Sequence, residues 1–576
     1  MKIPIGYSEV FTDRSVTIPD LLSNIDRSTM LKVAVHFLAV GHDIPKEDVA
    51  NWCNRIFCDN NRIIAEQIKA KLLDLNKDSN RNLINPYSSL SLFEFCFDQL
   101  SDSGSTSLEE AEILIFKAYL LFNQQLKDNL NKGTSSASHV TGDVTQFAAS
   151  RLAEGYQLHP LLNVEKNELW KCQLIKVFKL FTFMENHPKG QPILAQFLND
   201  ENCESWIEYL QQILPFVRGL IRKENEGFVQ FNPTDENNAE ILRRFSLNNS
   251  SPINDDDFKK VRATPIFELS DGFQLIFDPF VIELLFKGVY FKLEKAYATL
   301  NGEENRKNFR SFYCLEFSEK TLLYQTFKTN FSTDHIHFTG DELDKLKISG
   351  ACDYYLRMKK WNSIFLVESK DIQIAASIKG SFDFETIKSA FEKKLYQEIF
   401  EDGKIGKRAV LQLTENVRKV LSKEFKMDDK YNPSSVGIYP ILVLYDYEYN
   451  AAGLNYLINQ WFAIELEKLR IQGFDISRVR KITLIDIDTL IYFENPLWSC
   501  KFNMVIDSYH KYISHFSSNA FSSKVEAMHY LVQETHSFSF YYRNYCILHR
   551  SYENPNQLDW TLVELFNKAQ EQNETK

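Results

Sequence analysis

The sequence predicts two architectures in one chain: a large all-α N-terminal domain, then an α/β core in which helices flank a mixed sheet. Three observations carry this reading. Residues 18 to about 225 repeat apolar side chains at three- and four-residue spacing. Residues 351–378 hold short runs dense in β-branched and aromatic side chains, too short to be helices. Further on, VGIYPILVLYD, AGLNYLINQWFAIELEKLR and RKITLIDIDTLIYF read as strand, helix and strand, the pattern of a right-handed parallel crossover.

Composition sets the outer bounds. A chain of 576 residues holds two to four domains, and its 44% hydrophobic content is that of a globular protein. The formal net charge is −11, so any attraction to nucleic acid has to come from a local basic patch. Nine cysteines with no Cys-x-x-Cys pair predict reduced thiols rather than a zinc site or a disulfide framework. No apolar stretch is long enough to span a bilayer, and the N-terminus lacks a signal-peptide core. These features predict a soluble, cytoplasmic protein with no membrane partner.

Taken in order, residues 1–225 form the helical domain. Ser107 before Leu108-Glu109-Glu110 is a helix start with an N-cap and acidic first-turn residues. Residues 226–258, rich in Asn, Asp and Ser, read as an exposed linker around one short helical piece. Residues 259–500 follow as the α/β domain, opening on the hairpin TPIFELSDGFQLIFD. A helix over 308–327 precedes strands over 351–358, 364–370 and 372–378. Helices over 384–400 and 407–425 come next, separated by a turn at Gly403–Gly406. The order from Asn308 is then α-β-β-β-α-α-β-α-β. Residues 501–576 read as a small C-terminal helical cap.

Chemistry concentrates in ISGACDYYLRMKKWNSIFLVESKDIQIAASIK, residues 348–379. With the turn centred between Lys360 and Trp361, Asp353 lies directly across from Glu368 in an antiparallel pair. Glu368 and Lys370 are two apart, so they leave one face of their strand. Paired carboxylates suit a hard divalent ion such as Mg²⁺, which polarises a phosphodiester and lowers the pKa of a bound water. A lysine alongside stabilises the added charge of the transition state. Other Glu-x-Lys triplets, such as Glu392 with Lys394 and Glu424 with Lys426, fall in helical patterns, so only Glu368-Ser369-Lys370 sits on a strand behind a hairpin.

Asp353, Glu368 and Lys370 in this setting resemble the PD-(D/E)xK, or restriction-endonuclease-like, nuclease superfamily, over roughly Phe309 to Phe493. Apart from one extra helix, the element order is that of the superfamily's α-β-β-β-α-β core, followed by a further helix and strand. The resemblance implies a metal-dependent endonuclease hydrolysing DNA, less readily RNA, with Mg²⁺ or Mn²⁺ held by Asp353 and Glu368. It also implies a glutamate from the preceding helix, Glu319 with Glu316 as rival, and Gln412 on the helix after the third strand, facing the metal. A role in bacterial defence against foreign DNA belongs to the same resemblance.

Charge adds to this. Between Lys388 and Lys426 ten Lys and Arg face six Asp and Glu. Lys404, Lys407 and Arg408 at a helix start are placed to meet a phosphate backbone. His335 and His337 share one strand face but have no third ligand at a recognisable spacing, which favours a structural role. The alternative to the enzyme is a non-catalytic helical scaffold whose α/β domain binds nucleic acid or protein. In either case the N-terminal domain is the expected surface for a homodimer or a partner protein.

Overall fold

The computed structural model describes residues 2–13, 16–39, 57–75, 81–98, 104–163, 165–221, 230–233, 235–247, 253, 255–269, 272–499, 501–514, 516, 521, 523–549 and 555–575. Two compact units divide the chain, and neither is continuous in sequence. Much of the expected linker over 226–258 and the tip of the 266–275 hairpin lie outside the described residues.

The first unit comprises 1–132, 160–167 and 210–288. Its helices Arg27–Ala39, Pro86–Asp98 and the greater part of Leu108–Ser136 bury an aromatic core that includes Phe37, Phe93, Phe116 and Tyr119. The hairpin Ile266–Leu269 with Gly272–Leu275 belongs here, not to the α/β domain as the sequence predicts. The reason is apolar: the Phe267 ring packs at a tilt against Phe93 in that core, with centroids 5.3 Å apart. Gln230–Phe231 adds a third strand that the sequence does not suggest, and Glu236–Arg244, capped by Asp235, is the short helix expected within the linker.

The second unit comprises 133–159, 168–209 and 289–576. Its centre is a five-stranded mixed sheet built from β1 (Ile336–Thr339), β2 (Tyr354–Met358), β3 (Ser363–Lys370), β4 (Gly437–Leu444) and β5 (Thr483–Asp486). The spatial order is β5-β4-β3-β2-β1. β1, β2 and β3 pair antiparallel, whereas β3, β4 and β5 run parallel. The crossover from β4 to β5 carries the helix α2 (Leu454–Ile471), and that from β3 to β4 carries α1 (Ala409–Leu421).

Alternation along the strands explains both buried faces. Ile364 and Leu366 of β3, Tyr355 of β2 and Ile438 and Leu442 of β4 share a core with Val410, Leu413 and Val417 of α1 and Trp461 of α2. On the opposite face Phe365 stacks on Tyr439 and Phe502, with centroids 5.0 and 5.4 Å away. The expected separate C-terminal cap is therefore a covering layer of the sheet: Phe502–Tyr512 lies on it, and Tyr439 donates to Asp507 at 3.0 Å.

Three local readings need correction. The run 372–378 is not a strand; it leaves the sheet and ends in a helical turn, Ala376–Lys379, because β4 already occupies the free edge of β3. The third antiparallel strand is β1, upstream. Likewise the 384–400 helix stops at Tyr396, and Gln397–Ile399 pairs with Ile405–Lys407 as a two-stranded ribbon. Finally, only Thr483–Asp486 of RKITLIDIDTLIYF is strand. Asp486 caps a helix over Ile487–Tyr492 by accepting from the Thr489 amide.

Candidate active site

β2 and β3 pair Tyr354 with Val367, Arg357 with Ile364 and Met358 with Ser363. One residue further along the same register, Asp353 stands opposite Glu368. Lys370 ends β3 beside Leu444, the last residue of β4. Carboxylates and ammonium thus collect at the carboxyl ends of the parallel strands, the place where open α/β sheets bind their ligands.

Each group is held. Asp353 Oδ2 accepts from the Ser369 amide at 2.7 Å and from Ser369 Oγ at 3.0 Å. Lys370 Nζ donates to Glu368 Oε2 at 3.1 Å and stands 4.0 Å from Asp353 Oδ2. The Glu368 carboxylate is almost wholly buried, at 1% exposure. Its Oε1 accepts from Asn416 Nδ2 at 3.4 Å, and that amide also donates to the Gln412 carbonyl at 2.9 Å.

Electrostatics follow from this packing. Burial, then the charge of Asp353, push the Glu368 carboxyl up to about 8, against the pull of Lys370. Burial disfavours the charged form of Lys370, but Asp353, Glu368 and Glu319 outweigh it and hold the ammonium well above its ordinary range. Glu319 is raised to about 7 by burial and then by Asp353, while a hydrogen bond from Tyr324 at 3.2 Å opposes the rise. With all three carboxyls ionised, one ammonium leaves two negative charges to be balanced.

The helix bearing Glu319 takes π geometry over Tyr313–Leu323 and is tied to the end of β3. Asp371, next to Lys370, accepts from Arg310 Nη2 at 3.0 Å and from Ser318 Oγ at 2.8 Å, and Ser318 is the neighbour of Glu319. Glu316, the rival, instead pairs with Lys320 at 3.2 Å. Glu319 remains bonded to Tyr324. Among the described residues no three His, Cys, Asp or Glu side chains gather closely enough to hold an ion by themselves.

Gln412 sits on α1 with its Oε1 buried and without a hydrogen-bond partner among the described residues, and Asn416 Oδ1 is in the same condition. One turn apart, they belong to the helix that covers Glu368. Sequence reasoning missed Asn416; its place four residues after Gln412 was the available signal. Ser369 and Asp371 were also missed, although they flank the triad residues Glu368 and Lys370.

Lys404, Lys407 and Arg408 do not open a helix together. Lys404 is at the ribbon turn and pairs with Asp402 at 2.7 Å, Lys407 ends the ribbon, and Arg408 occupies the N-cap position of α1 with its side chain paired to Glu398. His337 is fully engaged in structure: one ring nitrogen meets the Tyr354 hydroxyl and the other the Ser332 carbonyl, both at 2.9 Å.

The residues fit a divalent cation on donor chemistry. Asp353, just before β2, and Glu368 of β3 are oxygen donors at opposed positions, the local excess of negative charge matches a dication, and two buried amide oxygens of α1 have no partner among the described residues. Among the described residues no helix is long and apolar enough to cross a membrane. Comparison of the chain with protein-family models, curated proteins and solved structures finds no match.

Proposed function

We propose that this protein is a metal-dependent nuclease of the PD-(D/E)xK type, hydrolysing phosphodiester bonds in DNA. The observation that carries the reading is the juxtaposition of Asp353, Glu368 and Lys370 at the carboxyl end of β3, with Lys370 Nζ 3.1 Å from Glu368 and 4.0 Å from Asp353. Asp353 and Glu368 would hold Mg²⁺ or Mn²⁺, which supplies Lewis-acid polarisation and a more acidic bound water.

The remaining roles belong to the chain. Lys370, kept charged by its carboxylate neighbours, orients the attacking water and offsets the charge that grows on the phosphoryl oxygens. Ser369 fixes Asp353 with two hydrogen bonds. Asn416 steadies Glu368, and the unpaired amide oxygen of Gln412 accepts from water or a ligand in the site. Glu319 holds a proton near neutrality that it can exchange with the site.

The test is cutting of plasmid, linear DNA and RNA in Mg²⁺, Mn²⁺ or EDTA. The proposal expects cutting with either ion and none in EDTA. The same Lys–Glu–Asp contacts also suit a purely structural ion pair in a scaffold domain. Metal-independent inertness on every substrate, with no metal bound by calorimetry, would favour that second reading.

A further inference from the structure

The ribbon Gln397–Ile399 with Ile405–Lys407 leaves apolar side chains uncovered. Ile399 and Ile405 are direct cross-strand partners and are 68% and 58% exposed. A Cβ at Gly406 would meet the Phe400 ring at 2.8 Å, so that ring lies across the glycine backbone while remaining 47% exposed. A pair of exposed isoleucines at a ribbon tip gains nothing in the free protein, since burial is what makes apolar surface favourable.

The base of the ribbon is anchored. Tyr396 stacks on Trp461 with rings 8° from parallel and donates to Glu465 at 2.7 Å. The Arg408 amide donates to the Tyr396 carbonyl at 3.2 Å, closing the ribbon onto α1. One turn into that helix, the Gln412 amide donates to the Arg408 carbonyl at 2.9 Å, so the ribbon is joined to the helix whose Asn416 touches Glu368.

The surroundings carry a small excess of positive charge. From Lys393 to Arg408 there are five Lys and Arg against three Asp and Glu, in a chain of −11. Glu398 pairs with Lys393 and Arg408, and Asp402 with Lys404. Lys407 stands on the same ribbon face as Ile399 and Ile405.

We infer that this ribbon is a wedge for duplex DNA, with Ile399 and Ile405 entering between base steps while Lys407 and its basic neighbours meet the phosphates. Apolar side chains flanked by cations are how proteins kink and partly unstack a duplex. The inference rests on the nuclease reading and adds the form of the substrate: a duplex distorted beside the site.

The test uses full-length protein and a duplex carrying 2-aminopurine, with Ca²⁺ in place of Mg²⁺, alongside the double variant Ile399→Ser, Ile405→Ser. Both substitutions are at exposed positions, and the melting temperature and metal affinity of the variant check its folding. The expected result is 2-aminopurine brightening with wild type, and a loss of brightening with at least ten-fold weaker binding in the variant. Equal binding and brightening by both proteins would overturn the wedge and leave the nuclease reading intact. Unchanged DNA binding together with a dimer-to-monomer shift in sedimentation would overturn it in favour of a protein interface. Wild type that neither binds nor cuts any nucleic acid would overturn the nuclease reading, and the wedge with it.

Discussion

Asp353 Oδ2 accepts two hydrogen bonds from Ser369, from its amide at 2.7 Å and its hydroxyl at 3.0 Å. The residue between the two other members of the triad thus anchors the first. Ser369→Ala keeps the amide bond and loses the hydroxyl. A net cost of about 1 kcal/mol is expected from one such bond. Thermal melts should show that small loss, and calorimetry should show metal affinity weakened only a few-fold, whereas Asp353→Ala should abolish it.

Glu368 predicts how stability depends on pH. Its folded-state pKa, about 8, lies above the ordinary 4.5, so the fold retains a proton that the unfolded chain releases. The stability this contributes is fully present below 4.5 and is lost as pH rises through 8. Metal-free protein should therefore lose on the order of a few kcal/mol between pH 5 and pH 8, at about 1.4 kcal/mol per full unit. Melts in EDTA should show the decline. Glu368→Gln should flatten it, leaving a smaller decline from Glu319, which is raised to about 7. Divalent ions should restore more stability at pH 8 than at pH 6, because binding requires the ionised carboxylate.

Asn416 tunes that same group. Its amide is the donor on Glu368 Oε1 at 3.4 Å. Asn416→Ala removes a bond that favours the ionised form, so the acid limb of the pH–rate profile should move to higher pH. A profile unchanged in position would mean that Asn416 is only a packing residue.

The clamp at Asp371 sets Glu319. Asp371→Ala removes the carboxylate shared by Arg310 and Ser318, leaving Arg310 its bonds to the main-chain carbonyl of residue 371 and to the Tyr290 hydroxyl. A loss of about 2 kcal/mol is expected when a charged hydrogen-bond acceptor of this kind is removed. Activity should fall along with that of Glu319→Gln, and combining the two substitutions should cost little more than either alone, as a double-mutant cycle would show.

The β2–β3 hairpin and its register were legible because the polar turn Lys359–Ser363 separates two apolar runs of strand length. That register placed Asp353 opposite Glu368 without any tertiary information. The strand–helix–strand of β4, α2 and β5 was legible for the same reason, since period and length agree. What failed depended on competition for space. Residues 372–378 have strand composition, yet no edge of β3 is left to receive them. Phe267 carries the 266–275 hairpin into the first unit because an aromatic cluster there accepts it, and no local pattern reveals a distant partner. Asn416 escaped notice because its significance lies in facing Glu368 across the helix–sheet interface.

Lys370 is the side chain on which catalysis and mere structure part most clearly. Wild type and Lys370→Ala should be compared for cutting of plasmid and linear DNA in Mg²⁺, with EDTA controls and with folding of both verified by melts. The predicted result is metal-dependent cutting by wild type and a loss of at least a hundred-fold in the variant, with metal still bound by Asp353 and Glu368. Equal cutting by the two folded proteins would contradict the account.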